Sequence, residues 1–77
     1  MAISSFFAKV AETEREVTYA FGQDRDHPED SLVIDKVALT AYPTSGARTF
    51  GFRATARAIV RRFRDLGAWP EHGYVAS

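Results

Sequence analysis

Phe50-Gly51-Phe52-Arg53-Ala54-Thr55-Ala56-Arg57-Ala58-Ile59-Val60-Arg61-Arg62-Phe63-Arg64-Asp65-Leu66 is the stretch on which the fold turns. Phe52, Ala56, Ile59, Phe63 and Leu66 recur at intervals of 4, 3, 4 and 3. That spacing draws one apolar stripe along a helix, widened by Val60. Thr49 stands where an N-cap belongs, Gly67 where a left-handed C-cap belongs, and Pro70 prevents resumption. The pattern predicts a helix over 50–66. Its other face is basic: Arg53, Arg57, Arg61 and Arg64 follow one another at intervals of 4, 4 and 3, with Arg62 at their flank.

Upstream, Val17-Thr18-Tyr19-Ala20-Phe21 alternates apolar with polar or small side chains and is rich in β-branched and aromatic types. This predicts a strand over 16–22. Residues 4–12 fit two readings. Phe6, Ala8 and Val10 alternate as in a strand, which Thr13-Glu14-Arg15 would turn into 16–22. Ile3, Phe7 and Val10 also fit a helical stripe behind a Ser4 or Ser5 cap. The hairpin is preferred, and it sets Phe6, Ala8 and Val10 beside Val17, Tyr19 and Phe21 on one face. Residues 31–42 are the longest β-prone run, either one bent strand or a strand running into an extended edge that stops at Pro43.

The expected fold is a single α+β domain over 1–77: a three-stranded antiparallel meander packed by one long C-terminal helix, β-β-β-α. Helical residues 4–12 would make it α-β-β-α, or α-β-β-β-α if 31–42 folds into a hairpin. The expected core is Phe6, Val10, Val17, Tyr19, Phe21, Leu32, Ile34, Ile59, Phe63, Leu66 and Trp69. Trp69 should fold back over the helix end while the tail crosses the sheet edge. The other reading makes Trp69 and Tyr74 part of an interaction surface.

A chain of 77 residues allows one small core. The lack of cysteine removes disulfides and thiolate metal sites. No apolar run approaches the roughly 18 residues of a membrane span, and 1–10 lacks the layout of a signal peptide. A cytoplasmic protein without membrane attachment is expected. Ten Lys and Arg balance ten Asp and Glu. The zero is uneven: residues 1–35 hold three basic and eight acidic side chains, a balance of −5, and residues 36–77 hold seven and two, a balance of +5. Such asymmetry points to a charged partner or to internal complementarity.

Arg53, Arg57, Arg61 and Arg64 are therefore the candidate binding residues. A solvated helix face normally mixes signs, because like charges four apart repel. This face carries no carboxylate before Asp65. It would suit a protein partner, self-association, or the phosphates of a nucleic acid. Acidic Glu14, Glu16 and Asp35 on the strands would repel phosphate, so only the helix could dock on nucleic acid.

Asp24-Arg25-Asp26-His27-Pro28-Glu29-Asp30 gathers oxygen and nitrogen ligand types, but an EF-hand frame fails, with Glu29 where glycine is needed and Asp35 where glutamate is preferred. No metal or cofactor is expected. His27 and His72 lie far apart in the chain, and no nucleophile elbow, phosphate loop or dinucleotide fingerprint is present. The expectation is a non-enzymatic interaction or accessory domain, with nucleic-acid binding as the alternative.

Val17-Thr18-Tyr19, Phe21-Gly22, Leu32-Val33-Ile34-Asp35-Lys36 and Gly67-Ala68-Trp69-Pro70-Glu71 together resemble a family of small uncharacterised proteins from high-GC bacteria. That family carries no assigned activity, so the resemblance implies no functional residues.

Overall fold

The computed structural model describes residues 4–76. It is an α+β fold of one antiparallel sheet and one helix, in the chain order β1 (Ser4–Glu12), β2 (Glu16–Gly22), β3 (Asp30–Asp35), β4 (Ala41–Pro43), α1 (Phe50–Leu66) and β5 (His72–Ala76). The strands stand β4-β3-β2-β1-β5 across the sheet. Every pairing is antiparallel, so β4 and β5 run the same way at opposite edges. The chain crosses from one edge to the other through α1.

Three expectations are corrected. The sheet has five strands rather than three, and the helix lies mid-chain rather than at the C-terminus. The run 31–42 is a hairpin, not a bent strand. Asp35 turns the chain: its Oδ1 accepts from the backbone N–H of Val37 at 2.8 Å and of Ala38 at 2.9 Å. Its own N–H reaches Thr40 O, with Leu39 left-handed at φ 58°. An aspartate whose side chain replaces a strand partner in this way ends the strand. The tail adds β5 to β1 (Phe7 opposite Gly73, Ser5 opposite Val75) and completes the sheet.

The hairpin of β1 and β2 forms as expected, tied by Thr13 Oγ1, which accepts from the backbone N–H of Glu16 at 3.1 Å. Its phase differs. The register slips between Lys9 and Ala11, leaving one extra residue, Val10, on β1. Such a bulge inverts the face of everything beyond it. Phe7 and Lys9, not Phe6 and Ala8, therefore stand opposite Phe21 and Tyr19. Val10 is 60% exposed rather than in the core.

The helix-side core holds Phe7, Val17, Tyr19, Phe21, Leu32 and Ile34 from the sheet and Phe52, Ala56 and Ile59 from α1. Phe7 meets Tyr19 edge-to-face at 5.6 Å, and Phe21 meets Phe52 at 6.4 Å. The stripe of α1 is buried at Phe52, Ala56 and Ile59 but rises off the sheet further on. Phe63 is half-buried, and Leu66 is exposed instead of forming core. Trp69 stacks on Phe63 at 4.1 Å and closes that end. Beside it the buried Tyr19 hydroxyl donates to Pro70 O at 2.6 Å. Burial pushes the phenol's pKa well above its ordinary range. Both caps of α1 stand as the spacing predicts: Thr49 accepts from Phe52 N–H, and Gly67 is left-handed at φ 75°.

Phe6 belongs to the opposite face yet is only 4% exposed. The 23–29 loop covers it. Gly22 stands opposite Phe6, and a Cβ on Gly22 would come within 2.8 Å of Glu29 N and 3.4 Å of Pro28 Cα. The loop is thus folded over the sheet face away from α1. Arg25 reaches Tyr74 there, donating to its hydroxyl at 3.2 Å.

Candidate basic helix face

Arg53, Arg57, Arg61 and Arg64 are all exposed on α1. They follow from the same periodicity that buries Phe52, Ala56 and Ile59, because residues one turn apart share a face. From Arg53 to Arg64 the ridge spans about 16 Å at ~1.5 Å per residue. Four ion pairs occur among the described residues, and none involves an arginine. The cations that are paired are Lys9 and Lys36, which hold the two Glu12 oxygens at 2.6 Å each; His27 Nδ1 lies 3.3 Å from Asp24 Oδ2, a pair that is ionic only when the imidazole carries a proton. Lys36 and Lys9 keep the Glu12 carboxyl below the usual carboxylate range.

Arg62 stands apart from the ridge. It turns toward β5, donates from Nη2 to Tyr74 O at 2.6 Å, and lays its guanidinium 5.1 Å from the Phe7 ring centroid. It is a packing residue. Arg48, ahead of the helix, lies 5.8 Å from the Phe52 ring. No acidic residue occupies the first turn of α1. The positive end of the helix dipole thus adds to the charge of Arg48 and Arg53 instead of being offset.

Grooves flank the ridge. On the β4 side the walls are Leu39, Ala41, Phe52, Ala56 and Val60, overhung by Arg53, Arg57, Arg61 and Arg64, with Asp65 as the one carboxylate of the lining. On the β5 side they are Phe50, Ala54, Ala58 and Val75, overhung by Arg53, Arg57 and Arg61. Phe50, 68% exposed, marks the N-terminal end of the ridge. The apolar walls were not foreseen from sequence. Leu39 and Ala41 reach the groove only because Asp35 turns the chain back.

Apart from Asp65 in the β4-side groove, the acidic side chains lie elsewhere. Glu14 and Glu16 stand at the β1–β2 turn, and Asp24, Asp26 and Glu29 on the reverse-face loop. Asp24 is occupied locally, with Oδ1 accepting from Asp26 N–H and Oδ2 beside His27 Nδ1. Asp30 accepts from Ser45 and Thr44 and fastens the segment after β4. His27 and His72 lie on different elements, the loop and β5. Among the described residues no group of three or more His, Asp or Glu is placed to hold a metal ion. None of the described helices is long and apolar enough to cross a membrane.

No family model, curated protein or solved structure matches the chain.

Proposed function

We propose that this protein is a non-enzymatic interaction or accessory domain that holds an acidic protein surface on the Arg53–Arg57–Arg61–Arg64 ridge of α1. The observation that carries this reading is the absence of any ionic partner for these arginines among the described residues, while Lys9 and Lys36 of the same chain are paired. Cations spaced one turn apart repel one another, and a partner's carboxylates relieve that cost. The apolar groove walls favour a protein partner, because they offer methyl and ring surface to apolar side chains beside the carboxylates. Exposed arginines steer encounter and fix orientation more than they add affinity. Cytoplasmic location and kinship with the small proteins of high-GC bacteria belong to the same proposal and add no mechanism to it.

A second reading is nucleic-acid binding by the same ridge. It is favoured by the stretch from Arg53 to Arg64, where carboxylate is absent. Titration of a fluorescent oligoglutamate peptide and of duplex DNA and RNA, over a range of salt, separates the two. The first reading expects peptide binding that Arg57→Gln/Arg61→Gln removes. Binding of the duplexes alone, with affinity falling by about 0.9 log units per log unit of salt for each phosphate engaged, would replace it with the second. Binding of neither would remove both.

A further inference from the structure

The charge layout identifies a second copy of this chain as an occupant of the ridge; this inference rests on the ridge being an anion-holding surface. Both sheet edges are partly blocked to a strand partner. On β4, the bonds Asp35 N–H to Thr40 O and Thr44 N–H to Ser31 O set the ladder's alternation, so Ala41 and Pro43 point outward. Pro43 has no N–H, and its carbonyl accepts from Gly46 N–H at 3.0 Å. On β5, the bond Lys9 N–H to Glu71 O sets the alternation, and His72 and Tyr74 point outward. The Tyr74 carbonyl is taken by Arg62. Edges managed in this way resist strand addition. Two charged faces are also exposed: the arginine ridge on the outer side of α1, and the Asp24–Glu29 loop on the reverse face of the sheet, where Asp24, Asp26 and Glu29 outnumber Arg25. Asp26 and Glu29 have no cationic partner among the described residues.

We propose that the protein associates head to tail, the ridge of one copy on the 24–29 loop of the next. Two different surfaces on opposite faces meet, so the contact is heterologous and leaves one of each unfilled at the ends of every oligomer that does not close into a ring. A net charge of zero permits this, because copies do not repel as wholes while their faces attract. The carboxylates and arginines are exposed, so the association is weak and depends on salt.

Sedimentation velocity over a concentration series tests this. Wild type is expected to sediment faster with concentration at about 0.01 M salt, where the Debye length is about 30 Å, and as monomer at about 1 M, where it is about 3 Å. Arg57→Gln/Arg61→Gln should be monomeric, and so should Asp26→Asn/Glu29→Gln; circular dichroism confirms that each is folded. Each variant keeps the face the other has lost, so their equimolar mixture should form a dimer and nothing larger. Wild type that stays monomeric at low salt, association indifferent to salt, or a mixture that forms no dimer overturns the proposal. The oligoglutamate titration in the same buffers keeps the two claims apart. A monomer that binds the peptide through the ridge sinks self-association and leaves the ridge reading standing. A monomer that binds nothing sinks both.

Discussion

Arg62 Nη2 donates to the Tyr74 carbonyl at 2.6 Å, and the side chain reaches it by crossing the bare backbone of Gly73. A Cβ on Gly73 would fall 2.0 Å from Arg62 Nη1 and 2.7 Å from Phe7 Cζ. The helix therefore ties to the edge strand through one guanidinium that stacks on a core ring and covers an edge carbonyl.

Replacing Arg62 with Ala should cost about 1–2 kcal/mol, from a charge-assisted hydrogen bond and a cation–π contact on a half-buried side chain. It should also expose the Tyr74 carbonyl and raise aggregation on heating. Gly73→Ala should cost roughly 1–3 kcal/mol by displacing the guanidinium and pressing on Phe7. The double variant should fall short of the sum, because Arg62→Ala removes one of the two clashes. Urea unfolding of the three proteins checks this; strict additivity would show that Arg62 does not fill the space over Gly73.

Tyr19→Phe deletes the donor to Pro70 O and leaves that carbonyl without it beside the closing Trp69. The expected loss is about 1 kcal/mol, with the Phe7 edge contact kept. A change within about 0.5 kcal/mol of zero in urea unfolding, the range of ordinary surface substitutions, would mean that water replaces the bond.

Acid should destabilise the protein through two turns. The ammonium groups of Lys36 and Lys9 hold Glu12 below the usual carboxylate range, and the N–H groups of Ala38 and Val37 do the same for Asp35. A carboxyl whose folded pKa lies below its unfolded one contributes stability that is complete above the ordinary carboxylate range and lost as pH falls through the folded value. Thermal midpoints measured from neutral pH downward should fall in that window. Glu12→Gln should be less stable than wild type at neutral pH and converge with it in acid. Asp35→Asn keeps an acceptor for the turn without the titration, so its acid loss should be shallower.

The helix and its caps were legible because 3.6-residue periodicity, a Thr before it and a Gly after it all agree. The rest was lost to single residues. Val10 looks like any alternating valine, yet it is the bulge that moves Phe6 to the far face and Phe7 to the core. Asp35-Lys36 lies inside a β-prone run, and only the pairing of the Asp35 side chain with two backbone N–H groups turns it into a hairpin. β5 holds five residues broken by Gly73, too short for alternation to register, and it forms because β1 has an unpaired side. The arginine ridge was legible from spacing alone; its lack of internal partners and its apolar flanks were not, since both depend on where distant elements lie.

The glycines at the two ends of α1, Gly51 in its first turn and Gly67 at its C-cap, should respond in opposite directions. Gly67 is left-handed at φ 75° with nothing within 4 Å of a Cβ, so Gly67→Ala should cost about 1 kcal/mol from backbone strain alone. Gly51 is helical, and its Cβ would meet only Thr49 Oγ1 at 3.9 Å, so Gly51→Ala should add roughly 0.5–1 kcal/mol. Urea midpoints moving the same way for both would contradict the backbone assignment.

Arg57 stands one turn from Arg53 and one turn from Arg61, with no carboxylate between them. Each like-charged i,i+4 pair costs about 0.2–0.5 kcal/mol, and Gln matches Arg in helix propensity, so Arg57→Gln should stabilise the isolated protein by roughly 0.4–1 kcal/mol at low salt. The gain should shrink as salt screens the repulsion. Urea unfolding of wild type and variant at low and high salt measures both quantities. Stabilisation that salt erases means that the ridge is held against the fold's own interest, as expected of a surface kept for a partner. Destabilisation would mean that the Arg57 stem, lying along the walls of Leu39 and Ala41, contributes more by covering apolar surface than its charge costs. The ridge would then be part of what holds the domain together.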